Sequence, residues 1–376
     1  MSKPRRLAIV QPVMKGYRLP FFAALQQRLA ALAIELEVIY GRPWSEEAKR
    51  GDNVDLPAPL GRRVNSHMLG GKLLWMPVLG SLLKADGIVV EHANKNLINY
   101  PLALAQQLGA RRVAYWGHGR DRQRSADSRG ERFKRRSLHW ADWWFAYTRG
   151  AASYVAAQGF DAHRITAVGN AVDTYELRDS VRSITPAERT RHLLSLGLEP
   201  DGQRLVYCGS LYANKRFDLM LPALVAAQAQ APQLQFIAIG GGPMADDMQA
   251  FAAAHSWARY VGPQFGRDKA ALLSLADAWL NPGLVGLGIL DAFSAGLPMI
   301  TTDLPIHSPE IEYLEPGING LMVAPEVPAL AEALLQLLRS PEQLSRLRQG
   351  ALASAERHSI EAMADNFAQG VQQWLK

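Results

Sequence analysis

The sequence predicts an α/β chain of two Rossmann-like domains, each built on a parallel sheet. Three observations carry this reading. The chain has 376 residues, and at ~100–200 residues per domain that length favours two domains. Short apolar or β-branched runs alternate with longer stretches of helical periodicity, the pattern of βαβ units. The alternation also runs twice, restarting near residue 204, with about six strands in each series.

In chain order, the first series places strands at residues 7–10, 36–40, 88–90, 113–116, 144–147 and 165–168, each a short apolar run. Helical patterns at 20–33 and 97–108 lie between them. The second series places strands at 205–208, 236–239, 260–261, 278–280, 299–301 and 321–323, with a helix beginning near Phe217. Helices at 328–338, 341–358 and 360–375 close the chain. A polar stretch over 173–185 reads as an irregular linker. The expected domains are therefore 1–170 and 171–358, with a helix over 359–376 packing back on the first.

Composition narrows the classes. Hydrophobic residues make up 48% and charged residues 20%, which excludes general disorder. The single cysteine, Cys208, excludes an internal disulfide and a cysteine-built zinc site, and within the run 205–208 it reads as a core residue. The run 7–10 is too short for a signal peptide, and 73–83 is broken by Gly80 and Ser81 well short of a span. A cytoplasmic chain is expected, peripheral on the inner face of the membrane at most. Net charge is +6, and residues 101–150 hold eleven basic and four acidic side chains, so that segment carries the whole excess. Such a patch favours phosphates. The segment from Arg111 to Arg136 is followed by Leu138, Trp140, Trp143, Trp144, Phe145 and Tyr147. It reads either as a solvated face leading into a buried strand or as an amphipathic surface on anionic lipid, arginines outward and aromatics at the interface. No nucleic-acid motif accompanies the charge.

The turn glycines concentrate in the second half. Gly209-Ser210-Leu211-Tyr212-Ala213-Asn214-Lys215-Arg216 and Gly240-Gly241-Gly242-Pro243 each follow a strand and precede a helix. Backbone N–H groups of such turns can face an anion, with Lys215 and Arg216 placed to neutralise a diphosphate. Either turn alone is equally an ordinary tight turn. A third stretch, Asn281-Pro282-Gly283-Leu284-Val285-Gly286-Leu287-Gly288-Ile289-Leu290-Asp291, reads as a glycine loop into a short helix, followed by Gly296-Leu297-Pro298, Ser308-Pro309-Glu310 and Gly317-Ile318-Asn319-Gly320-Leu321. The chain contains no Asp-x-Asp, so no metal-bridged diphosphate is expected, and no G-x-G-x-x-G follows the first strand of either half.

In order and spacing, residues 204–325 resemble the GT-B glycosyltransferases of the glycosyltransferase family 4 type. Tyr17-Arg18-Leu19-Pro20-Phe21-Phe22, Trp116-Gly117-His118-Gly119 and Gly169-Asn170-Ala171-Val172-Asp173 resemble that group more loosely. The resemblance implies two Rossmann-like domains facing across a cleft and retaining transfer of a sugar from a UDP- or GDP-linked donor, with no cofactor and no metal. The acceptor would be a glycan or lipid-linked saccharide of bacterial cell-surface polysaccharide or lipopolysaccharide. It implies donor contacts at Gly209, Ser210, Lys215, Arg216, Gly241, Gly242, Gly286, Leu287, Gly288, Asp291 and Glu310. His118, Lys215 and Asp291 would be catalytic, and Gly16, Tyr17, Arg18, Glu91 and His92 would lie on the acceptor side. Plainer readings stand beside these: Asp291 as a solvated helix residue, and Glu310 as an acid in a first helical turn.

The sequence departs from the group at three places. The first carboxylate of its Glu-x7-Glu segment falls at Gly283, the second is Asp291, and its arginine after the first turn glycine is Ser210. Sugar transfer does not demand a carboxylate pair, because a leaving phosphate can take the acceptor proton while cations and backbone donors stabilise the transition state. A degenerate nucleotide-sugar-binding subunit and a nucleotide-sugar epimerase of the same architecture are the alternatives.

Overall fold

The computed structural model describes residues 4–48, 51–120 and 128–376. Arg122 and Arg124 of the basic segment lie outside the described residues. The chain divides into two compact units, Met1–Val172 with Ile360–Lys376, and Asp173–Ser359.

The first unit contains β1 (Arg5–Gln11), α1 (Leu19–Ala31), β2 (Ile34–Gly41), α2 (Ser45–Ala48) and β3 (Gly61–Val64). A small hairpin, β4 (His67–Leu69) and β5 (Leu73–Trp75), leads to α3 (Leu79–Leu82), β6 (Gly87–Glu91) and α4 (Asn99–Gln107). Then come β7 (Arg112–Gly117), α5 (Arg129–Ser137), β8 (Trp143–Ala146), α6 (Arg149–Ala157) and β9 (Ile165–Ala167). Its parallel sheet has the order β3-β2-β1-β6-β7-β8-β9. Leu7, Ile9, Val38 and Val89 are buried on the sheet because a parallel strand is covered on both faces.

The second unit runs α7 (Thr174–Arg182), α8 (Pro186–Leu196), β10 (Gln203–Cys208), α9 (Phe217–Gln228), β11 (Leu234–Ile239), α10 (Ala245–Ala254) and β12 (Ala258–Tyr260). It continues through α11 (Gly266–Ser274), β13 (Ala278–Leu280), α12 (Gly288–Ser294), β14 (Met299–Thr302), β15 (Gly320–Val323), α13 (Val327–Arg339) and α14 (Pro341–Arg357). The sheet order β12-β11-β10-β13-β14-β15 is the doubly wound one, reversing between β10 and β13. The last helix, α15 (Ile360–Trp374), belongs to the first unit. There Phe367 stacks on Phe145 with ring centroids 4.1 Å apart.

Two expectations are corrected, and one strand was not foreseen. The stretch 173–185 is mostly helix, not irregular: Asp173 accepts the Glu176 N–H to cap α7, and Thr185 and Glu188 form a reciprocal cap on α8. The strand β3, Gly61-Arg62-Arg63-Val64, carries no apolar run because it lies at the sheet edge, where its arginines reach water. Most of the side chains after the basic segment do not face outward, Trp140 and Tyr147 being half-buried. Leu138, Trp143, Trp144 and Phe145 are buried in the unit's core, so lipid contact through them is excluded.

Candidate functional site

Ligands of doubly wound sheets bind beyond the carboxyl ends of the strands, where the strand order reverses. In the second unit that point lies between β10 and β13, and the glycine turns all converge there. The turns after β10 and β11 are zipped backbone to backbone. Gly209 N–H donates to Ile239 O and Leu211 N–H to Gly241 O, both at 2.9 Å. Gly240 has φ 141°, and a Cβ there would collide with the Gly209 carbonyl, so only glycine fits. Gly242 and Ser210 complete these turns, Ser210 exposed.

Lys215 ends a single 3-10 turn, Ala213–Lys215. Its ammonium donates to the carbonyl of Leu284, on the loop after β13. Burial pushes its pKa down from 10.5 to about 8, so the charge is poorly solvated and open to an anion. The next residue, Arg216, turns away: its guanidinium is bidentate on Asp218 at 2.8–2.9 Å, at the start of α9. Among the described residues, Lys215 is therefore the cation at this turn that no acid neutralises.

The loop from Asn281 to Gly288 is held on both sides. Leu284 N–H donates to Asn214 O at 2.8 Å. A Cβ on Gly283 would overlap the Lys215 backbone, so two loops touch at the position where the resemblance puts a glutamate. On the other side, buried His307 accepts the Val285 N–H on Nδ1 (3.0 Å), and its Nε2 reaches the Thr302 carbonyl at 2.7 Å. That pairing requires a neutral imidazole with the proton on Nε2. Ser308 N–H donates to Val285 O at 2.9 Å. Glu310, in the 3-10 turn Pro309–Tyr313, is 2% exposed. Gly286, Leu287 and Gly288 lead into α12, whose first turn carries Asp291.

Asp291 pairs with Lys269 Nζ of α11 at 2.7 Å. Burial alone would depress Lys269, but Asp291, helped by Cys208, raises it overall. Cys208 is half-buried at the end of β10 rather than deep in the core, and burial pushes its thiol up to about 12. Lys269 and His307 were not singled out in the sequence, since each acts on a residue more than twenty positions away or through a backbone group. Asn319 is a structural lock: it bonds Tyr313 O, Ser354 Oγ and Glu315 N–H at 2.8–2.9 Å.

In the first unit the order reverses between β1 and β6. The turn Gly16–Arg18 follows β1, and His118 follows β7. Arg18 is buried, its guanidinium 4.6 Å from the Trp116 ring centroid, and it donates to Tyr147 Oη at 3.3 Å. His118 meets the Tyr147 ring edge-on at 4.3 Å. Arg18, Trp116, His118 and Tyr147 thus form one cluster, with Tyr17 exposed beside it. Glu91 is half-buried at the end of β6.

His92 does not join them. It extends the β6 ladder by one residue and so shares the inward face of Ile88 and Val90. Its ring packs on Tyr115 and Trp144, bonds Ser137 Oγ at 2.9 Å, and is held neutral by burial and then by Lys134. The expected acceptor-side role for His92 is corrected on that ground: a buried ring cannot touch a saccharide.

Known proteins share sequence and fold with this chain. The family model described as Glycosyltransferase Family 4 matches residues 21–176, and that described as Glycosyl transferases group 1 matches residues 202–340. The alpha-D-kanosaminyltransferase of Streptomyces kanamyceticus is 23% identical over 82% of this chain and 76% of its own. A GDP-mannose-dependent alpha-(1-6)-phosphatidylinositol dimannoside mannosyltransferase of Mycobacterium tuberculosis is 25% identical over 65% of this chain and 67% of its own. Three further curated relatives are matched over less than half of their length. The crystal structure of Anabaena Alr3699/HepE in complex with UDP superposes with a TM-score of 0.68 at 15% identity, covering 98% of this chain and 99% of that one. With matched sequence in both units and a shared fold over nearly the whole length, the chain belongs to the GT-B glycosyltransferases of glycosyltransferase family 4.

Proposed function

We propose that the protein transfers a sugar, with retention of configuration and without a metal, from a UDP- or GDP-linked donor on the second unit. The acceptor is a glycan or lipid-linked saccharide at the inner face of the membrane. The observation that carries this reading is Lys215, a half-desolvated ammonium with no acidic partner among the described residues, seated among glycine turns at the reversal point of a doubly wound sheet. A diphosphate placed there restores the solvation that burial removes.

Lys215 stabilises the charge that develops on the leaving diphosphate, and the departing phosphate takes the acceptor proton. Asp291, steadied by Lys269, accepts from a donor hydroxyl. Glu310 and the turn glycines hold the rest of the donor, and half-buried His118, backed by Arg18 through Tyr147, serves the acceptor on the first unit. Two relatives named for sugar transfer and a neighbour solved with UDP support the donor class.

The test is thermal stabilisation by a panel of nucleoside diphosphates and nucleotide sugars, repeated with Lys215→Ala and Asp291→Ala. A ligand at 100 times its Kd adds ~2.7 kcal/mol. Loss of that shift in both variants supports the site. Binding that survives in them refutes it. Release of nucleotide only when an acceptor is present separates transfer from epimerisation, and binding without any turnover identifies a degenerate subunit.

A further inference from the structure

We propose that His307 is a positioning residue for Lys215. Through the Leu284–Val285 peptide it fixes the carbonyl that seats the ammonium, and it does so only while its ring is neutral. The inference rests on the proposed function for the role of Lys215. It deepens that reading by tying the binding of the nucleotide sugar to the protonation of a buried ring.

The connection is a chain of hydrogen bonds through one peptide. Leu284 O accepts the Lys215 ammonium, and also the Asn281 side-chain amide at 3.2 Å. The N–H of the same peptide, on Val285, donates to His307 Nδ1 at 3.0 Å, and His307 Nε2 donates onward to Thr302 O at 2.7 Å. A trans peptide points its carbonyl and its N–H to opposite sides, so ammonium and imidazole grip it from two directions. All three bonds run the same way, and bonds aligned head to tail polarise and strengthen one another. Val285 is held again through its own carbonyl, which accepts the Ser308 N–H at 2.9 Å. Gly286, Leu287 and Gly288 follow it directly. The anchor that seats Lys215 thus also sets the course of the glycine loop.

Protonation undoes this at one atom. An imidazolium carries a hydrogen on Nδ1, which would meet the Val285 N–H head to head. It would also set a second positive charge across a single peptide from Lys215. His307 is 3% exposed, so water does not take up the slack. Of the charged groups on the elements round the ring, Asp303 after β14 and Glu312 are exposed, and Asp291 of α12 is paired with Lys269. Glu310 is buried three residues further along. Glu310 favours an imidazolium and Lys215 disfavours it. The Val285 bond breaks the tie, since only the neutral ring can accept it.

The experiment titrates the full chain with UDP-glucose and with GDP-mannose across pH. Both lack the second phosphate ionisation, near about pH 6, that would confuse a titration with free UDP. Wild-type affinity is expected to fall on the acid side as His307 protonates, and on the alkaline side above about 8 as Lys215 loses its proton. His307→Asn keeps an acceptor at the Nδ1 position and does not titrate. Its affinity should stay within about threefold of wild type at neutral pH, and the acid limb should vanish. His307→Phe removes the acceptor and should lower affinity about tenfold at neutral pH. Uridine and guanosine, which carry no phosphate, should bind all three proteins alike. In the unliganded chain, amide hydrogen exchange over residues 281–288 should be faster in His307→Phe than in the other two. Should His307→Phe melt below wild type, the acid limb of His307→Asn decides alone. The proposal is overturned by a wild type without an acid limb, by a limb that persists in His307→Asn, or by a nucleoside that weakens in step with its nucleotide sugar. Wild-type affinity and exchange in His307→Phe overturn it too, and leave the proposed function standing. Binding of neither nucleotide sugar, with the exchange pattern intact, fails the proposed function while the hold of His307 on the loop stands.

Discussion

The two strand-order reversals of this molecule share a topology and differ in chemistry. At β10 and β13 the turns press backbone on backbone, glycines exclude side chains, and half-buried Lys215 supplies the charge. Past β1 and β7 of the first unit the half-buried rings of His118 and Tyr147 meet, with Trp116 and Arg18 buried against Tyr147. Fixed backbone donors suit an invariant diphosphate, whereas half-exposed aromatic rings suit the varied hydroxyl faces of a saccharide. One architecture carries both because the sheet determines only where ligands lie, not what lines the place.

The contrast is broken most severely by a side chain at the backbone contact. Gly283→Glu restores the carboxylate that the resemblance would put there, yet it is expected to destabilise the second unit by ~3 kcal/mol or more without gain of activity. Thermal melting and donor turnover check this. A stable, more active variant would show that the loop can re-pack.

Lys215→Met comes next. Donor affinity should fall about 100-fold, the scale of a lost hydrogen bond to a charged group in a half-buried site. The unliganded variant should nevertheless gain ~1–3 kcal/mol, because burial disfavours the ammonium. The sign follows from the folded pKa of about 8 against 10.5 unfolded. At pH 7 both states are protonated and the penalty is in force. Between about 8 and 10.5 the unfolded chain binds more protons, so wild-type stability rises relative to the variant. Nucleotide affinity should fall over the same range. Melts and titrations across pH read both signs.

Lys269→Met is expected to raise the donor KM about tenfold with kcat little changed, as a partly exposed partner of Asp291 is lost. Rescue by Lys269→Arg distinguishes positioning from packing. The smallest effect belongs to Tyr147→Phe. It removes one hydrogen bond to Arg18, ~1 kcal/mol, and should raise the acceptor KM a few-fold while donor binding is untouched.

The strands were legible because a parallel sheet buries both faces, leaving continuous apolar runs such as Leu205-Val206-Tyr207. Edge strand β3 and the hairpin were not, since short exposed strands have no such run. The glycine turns were legible from composition, but the reason for Gly283 needed the opposing backbone of Lys215. His92 misled because a residue just past a strand looks like a loop residue, whereas the ladder persists one step and fixes its side inward. Lys269, His307 and Tyr147 gain their meaning from partners on other elements, which no local pattern encodes.

The return of α15 to the first unit also bears on how the protein is made. The aromatic stack of Phe367 on Phe145, and Trp374 against Gly87, cover a sheet whose strands all precede residue 170. During vectorial synthesis the first unit must wait, with Phe21, Trp116 and Phe145 uncovered, until the whole of the second unit has been translated. The second unit needs nothing later than Ser359 and can fold first. Order of synthesis and order of completion are thus inverted, and the unfinished first unit is the stage at which a nascent-chain chaperone would be most needed.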